Sequence, residues 1–192
     1  MSARLLPTAA VVGLIAVMPF ARVRAQTAAP HDSLTADAGF VRHAVADNLL
    51  EVRLGEVAQH RATNQQVQKF GQRMVNDHSK LQKQWTDLAQ KHGLKMTAAL
   101  GPMQQQKFDR LQKMDKSAFD RDYMTAMIRG HADDVAKLKA EVDSARSEAV
   151  RKMAAYELPI VQDHLLAARS VGKEVGVDSA VVAESRHVAE QK

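Results

Sequence analysis

The chain has no cysteine among its 192 residues. That excludes disulfides, thiolate nucleophiles, cysteine-ligated zinc and a lipid-modified cysteine at a processed N-terminus. Aromatic side chains make up only 4% of it, and Trp85, Tyr123 and Tyr156 form no set of stacking platforms. No run of like charges appears, so there is no basic stripe to face phosphates, and nucleic acid is excluded as a partner. Nor does any apolar stretch reach the roughly 20 residues a membrane-spanning helix needs. Stability has to come from packing, and the abundance of Ala, Leu, Gln, Lys, Met and Val favours helices.

The first 25 residues read as a cleavable secretory signal. Arg4 supplies a short positive segment, Ala9–Met18 is an uncharged apolar run, Pro19 ends it, and Val23-Arg24-Ala25 offers small side chains to a signal peptidase. Cleavage after Ala25 removes Arg4, Arg22 and Arg24 and no acid. The 27 basic side chains fall to 24 against 22 acidic ones, and the formal charge drops from +5 to +2. Much of the apparent basicity thus belongs to the removed segment. The expected location is the periplasm or the outer membrane, with envelope components as partners and no transmembrane segment in the mature chain.

Residues 26–36, with Pro30, read as a polar linker, and residues 37–172 as one all-α domain. Helix-period apolar stripes predict a first helix over Asp37–His60, and a second beginning after Asn64 as N-cap and stopped by Gly93. A short helix from Pro102 to near Met114 follows. A third long helix opens at a capping box, Ser117–Asp120, and a fourth starts near Ser147. Pro159 is expected to kink or split the fourth. Short connections predict an up-down bundle of antiparallel neighbours, and residues 173–192 a loosely ordered tail. A weak repeat relates Val75-Asn76-Asp77-His78 to Val161-Gln162-Asp163-His164.

Eight histidines are present, and three differ in kind. His78, His131 and His164 each fall inside the apolar stripe of a different helix, while His31, His43, His60, His92 and His187 read as surface residues. Buried imidazoles need partners, and Glu51, at the edge of the first helix's apolar face, is the carboxylate best placed to join them. Glu56, Asp77 and Asp163 are less well aimed. Three imidazoles and a carboxylate suit one divalent transition-metal ion; the alternative is that the histidines bond internally. Met74 and Met127, each four residues before an inward histidine, bring copper into view, although methionine at that spacing also fills cores.

Several motifs carry a resemblance. Glu51-Val52-x-Leu54-Gly55-x-x-Ala58, Phe70-x-x-x-Met74-Val75-x-Asp77-His78, Phe119-Asp120-Arg121-x-Tyr123 with His131, and Leu158-Pro159 followed by His164-Leu165 resemble the secreted bacterial family known as domain of unknown function 4142. The likeness spans Asp37 to Val171. It implies a ferritin-like antiparallel four-helix bundle with a short extra helix, an envelope setting and no assigned reaction. It also picks out Asp77, Asp120 and Tyr123, beside the inward set, as residues that orient the histidines or cap helices. Di-iron enzymes of ferritin-like fold place a Glu three residues before the histidine; here those positions are Val75 and Val161, so the bridging carboxylates are missing.

The leading expectation is therefore a non-enzymatic exported bundle holding one transition-metal ion or a small ligand through Glu51, His78, His131 and His164. The rivals are a metal-dependent oxidoreductase of ferritin-like ancestry and an envelope interaction protein without metal.

Overall fold

The computed structural model describes residues 34–190 apart from 98; the signal segment and most of the linker lie outside them. The described residues are all-α, without a strand. In chain order the helices are α1 (Ala38–Arg61), α2 (Gln65–Lys91), α3 (Pro102–Gln112), α4 (Lys116–Ser144), α5 (Glu148–Glu174) and α6 (Ser179–Glu190). None of them is long and apolar enough to cross a membrane.

The ends of these helices follow local chemistry. Asn64 caps α2, its Oδ1 accepting from the amides of Gln66 and Val67. Pro102 sits in the first turn of α3, where its missing N–H costs no hydrogen bond. The helices α2 and α5 end alike. Gly93 and Gly176 take positive φ angles of 75° and 77°, and the next residues, Leu94 and Val177, donate back to Ala89 and Gly172.

One expectation about a helix end is corrected, and of the two outcomes expected at Pro159 the split does not occur. The capping box at Ser117 does not form: α4 begins at Lys116, and the Asp120 carboxylate instead accepts from the amides of Thr63 and Asn64 at the α1–α2 turn. Pro159 does not split α5, which runs through it. Pro159 and Ala155, whose carbonyl loses its donor, both lie on the exposed face, where water replaces the lost bond.

Cross-bundle contacts give the helix directions. Phe40 meets Trp85, Asn48 meets His78 and Gly55 meets Gly71, so α1 and α2 are antiparallel. Ile128 meets Gly172 and His131 meets His164, so α4 and α5 are antiparallel as well. Phe70 meets Tyr123 and His78 meets His131, which makes α2 and α4 parallel. The order is up-down-down-up, not the simple up-down bundle expected from short connections. Residues 92–115 are a crossover that returns the chain along the bundle. Within it α3 lies against α1, through Gln104 to Asp47 and Arg61 to the carbonyls of Gln112 and Met114.

The expected loose tail is also corrected. After Gly176 the chain turns, buries Val177, Val181 and Val182, and packs α6 beside α4. Arg169 on α5 ties it down by bonding Ser185.

The core falls into two apolar groups. One contains Leu54, Phe70, Met74, Met127 and Leu165, the other Val41, Trp85 and Val150. Asn48 on α1 and His78 on α2, bonded to one another, lie where one group gives way to the other, and Glu157 joins them there through Asn48.

Candidate metal centre

His78 projects from α2, His131 from α4 and His164 from α5, with 3%, 0% and 0% of their surface exposed. Their ring centroids are 5.6 Å (His78–His131), 5.1 Å (His78–His164) and 5.6 Å (His131–His164) apart. One nitrogen from each lies within 4.8 Å of the other two. Among the described residues no other group of three His, Asp or Glu side chains converges so closely. The inward placement read from the helix stripes is what brings them together.

Each imidazole uses one nitrogen outward. His131 Nδ1 lies 2.9 Å from the Met127 carbonyl oxygen, which only accepts, so this nitrogen carries the proton. His164 Nε2 lies 3.1 Å from Asp77 Oδ2, again an acceptor. His78 Nδ1 lies 2.8 Å from Asn48 Oδ1, and that amide's orientation is set by its NH2 group, which donates to the Ala44 carbonyl and to Glu157 Oε1. The remaining nitrogens, His78 Nε2, His131 Nε2 and His164 Nδ1, have no hydrogen-bond partner. Each of the three clustered rings thus keeps one nitrogen bare, with an oxygen orienting it at the other. Metal-binding histidines are held in this way.

Burial keeps these rings neutral. It lowers His131 to about 3, with the neighbouring His164 adding to the effect. His78 is pushed well below its ordinary value by burial and then by the other two rings. For His164 burial again dominates, lowering the ring despite the bond to Asp77. Burial pushes Asp77 the other way, but the His164 contact, Lys80 and Arg73 outweigh it and hold the carboxylate below its usual range.

The other residues singled out from sequence fall in three places. Glu51 stands beside the cluster: it shares a cavity wall with His78, and its Oε1 would lie 3.9 Å from a Cβ built on Gly130, next to His131. Its Oε2 is buried without a partner, and burial, then the charges of Asp134 and Asp47, push its pKa up to about 8. Glu51 is not among the donors that converge within 4.8 Å. Tyr123 is buried with its hydroxyl also unpartnered, and burial followed by the Glu51 charge raises its pKa well above the ordinary value. It orients no histidine by hydrogen bonding. Asp120 is remote from the site, at the turn before α2. Asp77, judged poorly aimed from its own helix, proves to be the partner of a histidine on another.

Sequence reasoning missed Asn48, Glu157 and His43. Glu157 is 4% exposed, accepts from Trp85 Nε1 and Asn48, and is raised by burial to about 7 against those two bonds. The signal for Glu157 was available: it lies seven residues before His164, on the same face of α5. His43, read as a surface residue, lies 2.7 Å from Asp47 and lines the cavity shared by Glu51 and His78.

Five buried side-chain atoms lack a hydrogen-bond partner among the described residues, and they belong to Glu51, His78, Tyr123, His131 and His164. Buried polar atoms are nearly always paired in folded proteins, and the cluster of His78, His131 and His164 among these residues could hold a metal ion. Neutral imidazole nitrogens with outer oxygen partners fit a divalent transition metal. Neither the curated proteins nor the solved structures yield a match to this chain. The family model described as a domain of unknown function, DUF4142, matches residues 22–171, and the chain belongs to that family.

Proposed function

We propose that this protein is an exported, non-enzymatic helical bundle that binds one divalent transition-metal ion through His78 Nε2, His131 Nε2 and His164 Nδ1. The observation that carries this is the convergence of three bare imidazole nitrogens whose opposite nitrogens are all held by oxygens. Glu51, with an unpartnered buried oxygen beside them, is the carboxylate available for a further position. Imidazole donors suit zinc, copper, nickel, cobalt or iron. The supporting role expected of Asp77 is to hold the His164 ring; Asp120 serves the fold. The single long crossover between α2 and α4 agrees with the ferritin-like bundle that the family resemblance implies. The export reading rests on Arg4, the apolar run Ala9–Met18 and the small residues before Gln26.

The test is elemental analysis of the purified protein, followed by titration of the metal-free form with Zn2+ and Co2+. The comparison is a variant carrying alanine at positions 78, 131 and 164. One equivalent of metal bound by the wild type and lost from the variant is expected. Equal binding by both would remove the metal site. Then the rival without metal, in which the histidines are purely structural, would stand, and His78→Ala would lower the melting temperature equally with and without added metal.

A further inference from the structure

A cavity of about 30 Å3 lies beside the histidine cluster, bordered by α1, α2, α4 and α5; it has room for roughly one or two water molecules. The carboxyl groups of Asp47, Glu51, Asp134 and Glu157 line it, with Lys137 at its outer end and His78 at its inner end. Exposure falls along it. The side chains of Lys137, Asp134 and Asp47 are 43%, 24% and 18% exposed, and Glu51 and His78 only 6% and 3%. Phe40, Ala44, Leu138 and Val161 complete the lining, so the polar groups step from solvent towards the cluster between apolar walls.

The mouth already holds a cation. Lys137 Nζ lies 3.3 Å from Asp134 Oδ1, 3.9 Å from Asp47 Oδ2 and 3.1 Å from His43 Nε2. Burial pulls its pKa down, but Asp134 and Asp47 outweigh that and raise it, so the ammonium stays charged. Glu51, further in, ends in an oxygen that nothing satisfies. Folded proteins leave few buried polar atoms bare, and each one calls for an explanation. The carboxylates do not enclose a second resting site, because their oxygens fail to bring three donors within 4.8 Å of one another. Spread along a cavity, they form a series of single handholds.

We propose that this cavity is the route by which a divalent cation reaches the three histidines. Asp47 and Asp134 receive the hydrated ion in exchange for the Lys137 ammonium, and Glu51 passes it to His78. The inference rests on the metal-binding reading above but is separable from it, because a route changes rates and a ligand changes affinity.

The experiment mixes metal-free protein with Co2+ in a stopped-flow instrument. It follows the visible absorption of the bound ion, and measures release by chelator competition. Asp47→Asn and Asp134→Asn are each expected to slow uptake by about tenfold, as removal of a charged funnel does, and to slow release by a like factor, leaving Kd nearly unchanged. Lys137→Met is expected to speed both. Helical circular dichroism checks that each variant folds, and the lysine variant tests the route alone if an aspartate variant does not. Wild-type rates in the folded variants would overturn the proposal. So would a weakened Kd at an unchanged uptake rate, which would make the aspartates ligands. A wild type that takes up no Co2+ would overturn the metal-binding reading itself, before any variant is compared.

Discussion

Asp77 on α2 accepts a hydrogen bond from His164 on α5 across 3.1 Å, although its neighbour His78 is the residue that shares its helix with the cluster. The V-x-D-H repeat is thereby used unsymmetrically. Asp163, the counterpart on α5, pairs with Arg73 instead of with a histidine, and His78 takes Asn48. One repeat aspartate orients a ring; the other holds the arginine that flanks its twin.

That asymmetry separates the two aspartates in function. Asp77→Ala is expected to weaken binding of the divalent metal by about 10–100-fold, the usual cost of losing the oxygen behind a metal-binding histidine. Asp163→Ala, an exposed ion pair, should leave affinity near wild type. Competition titration with a chelating dye measures both. Equal losses in the two variants would mean that the effect is one of general charge.

The close approach of α1 and α2 gives a second prediction. A Cβ on Gly55 would sit 2.5 Å from the Gly71 carbonyl oxygen, and one on Gly71 would sit 2.8 Å from Gly55 O and Ala58 Cβ. Backbone atoms cannot swing aside, so the helices must separate. In an open helix, replacing Gly by Ala stabilises by about 1 kcal/mol. Here Gly55→Ala should instead destabilise by about 1–3 kcal/mol, the range for overpacking. It should also weaken metal binding, because pushing α1 away draws Asn48 from His78. Chemical denaturation and titration on the same sample check the pair of effects.

The long helices and the three histidines were legible because both are matters of period. A residue at helical spacing within an apolar stripe must point where the stripe points. Partners across the bundle follow no such rule. Asp77 looks misdirected along α2, since it points about 100° away from His78, and only the relative placement of α5 shows that it meets His164. The same holds for Asn48 and for the carbonyl of Met127. Helix direction is not legible in the same way: residues 92–115 look in sequence like a turn region with a short helix, yet they are long enough to return the chain along the bundle. Tail order was misread because Val177, Val181 and Val182 are too few to show a period by themselves, and their burial depends on a groove supplied by α4 and α5.

Asp120 tests whether a motif residue belongs to the fold alone. It accepts from the amides of Thr63 and Asn64 and from the Thr63 hydroxyl, at 3.1, 2.8 and 2.5 Å. This pins the α1–α2 turn to the start of α4. Asp120→Ala should cost about 0.5–2 kcal/mol, as loss of a capping carboxylate does, with metal affinity unchanged. Denaturant titration and metal titration separate the two, and a fall in affinity with stability intact would return Asp120 to the site.

The buried carboxyl of Glu157 makes the metal-free protein sensitive to pH in a set direction. Its pKa in the fold is about 7, against an ordinary 4.5. Between those values the folded chain keeps a proton that the unfolded chain has released. Its contribution to stability is therefore complete below 4.5, and is lost as pH rises through 7. The shift corresponds to at most about 3 kcal/mol. His131 runs the other way: held at about 3 instead of 6.5, it contributes fully above 6.5 and loses that contribution as pH falls toward 3. Glu157→Gln removes the first dependence and leaves the second. Urea unfolding from pH 5 to 8 should then show the wild type losing stability relative to the glutamine variant as pH rises. Parallel curves for the two proteins would mean that Glu157 ionises in the fold as it does in water. Its bonds to Trp85 and Asn48 would then hold a carboxylate, and the acid form would not be the one that shapes this end of the cavity.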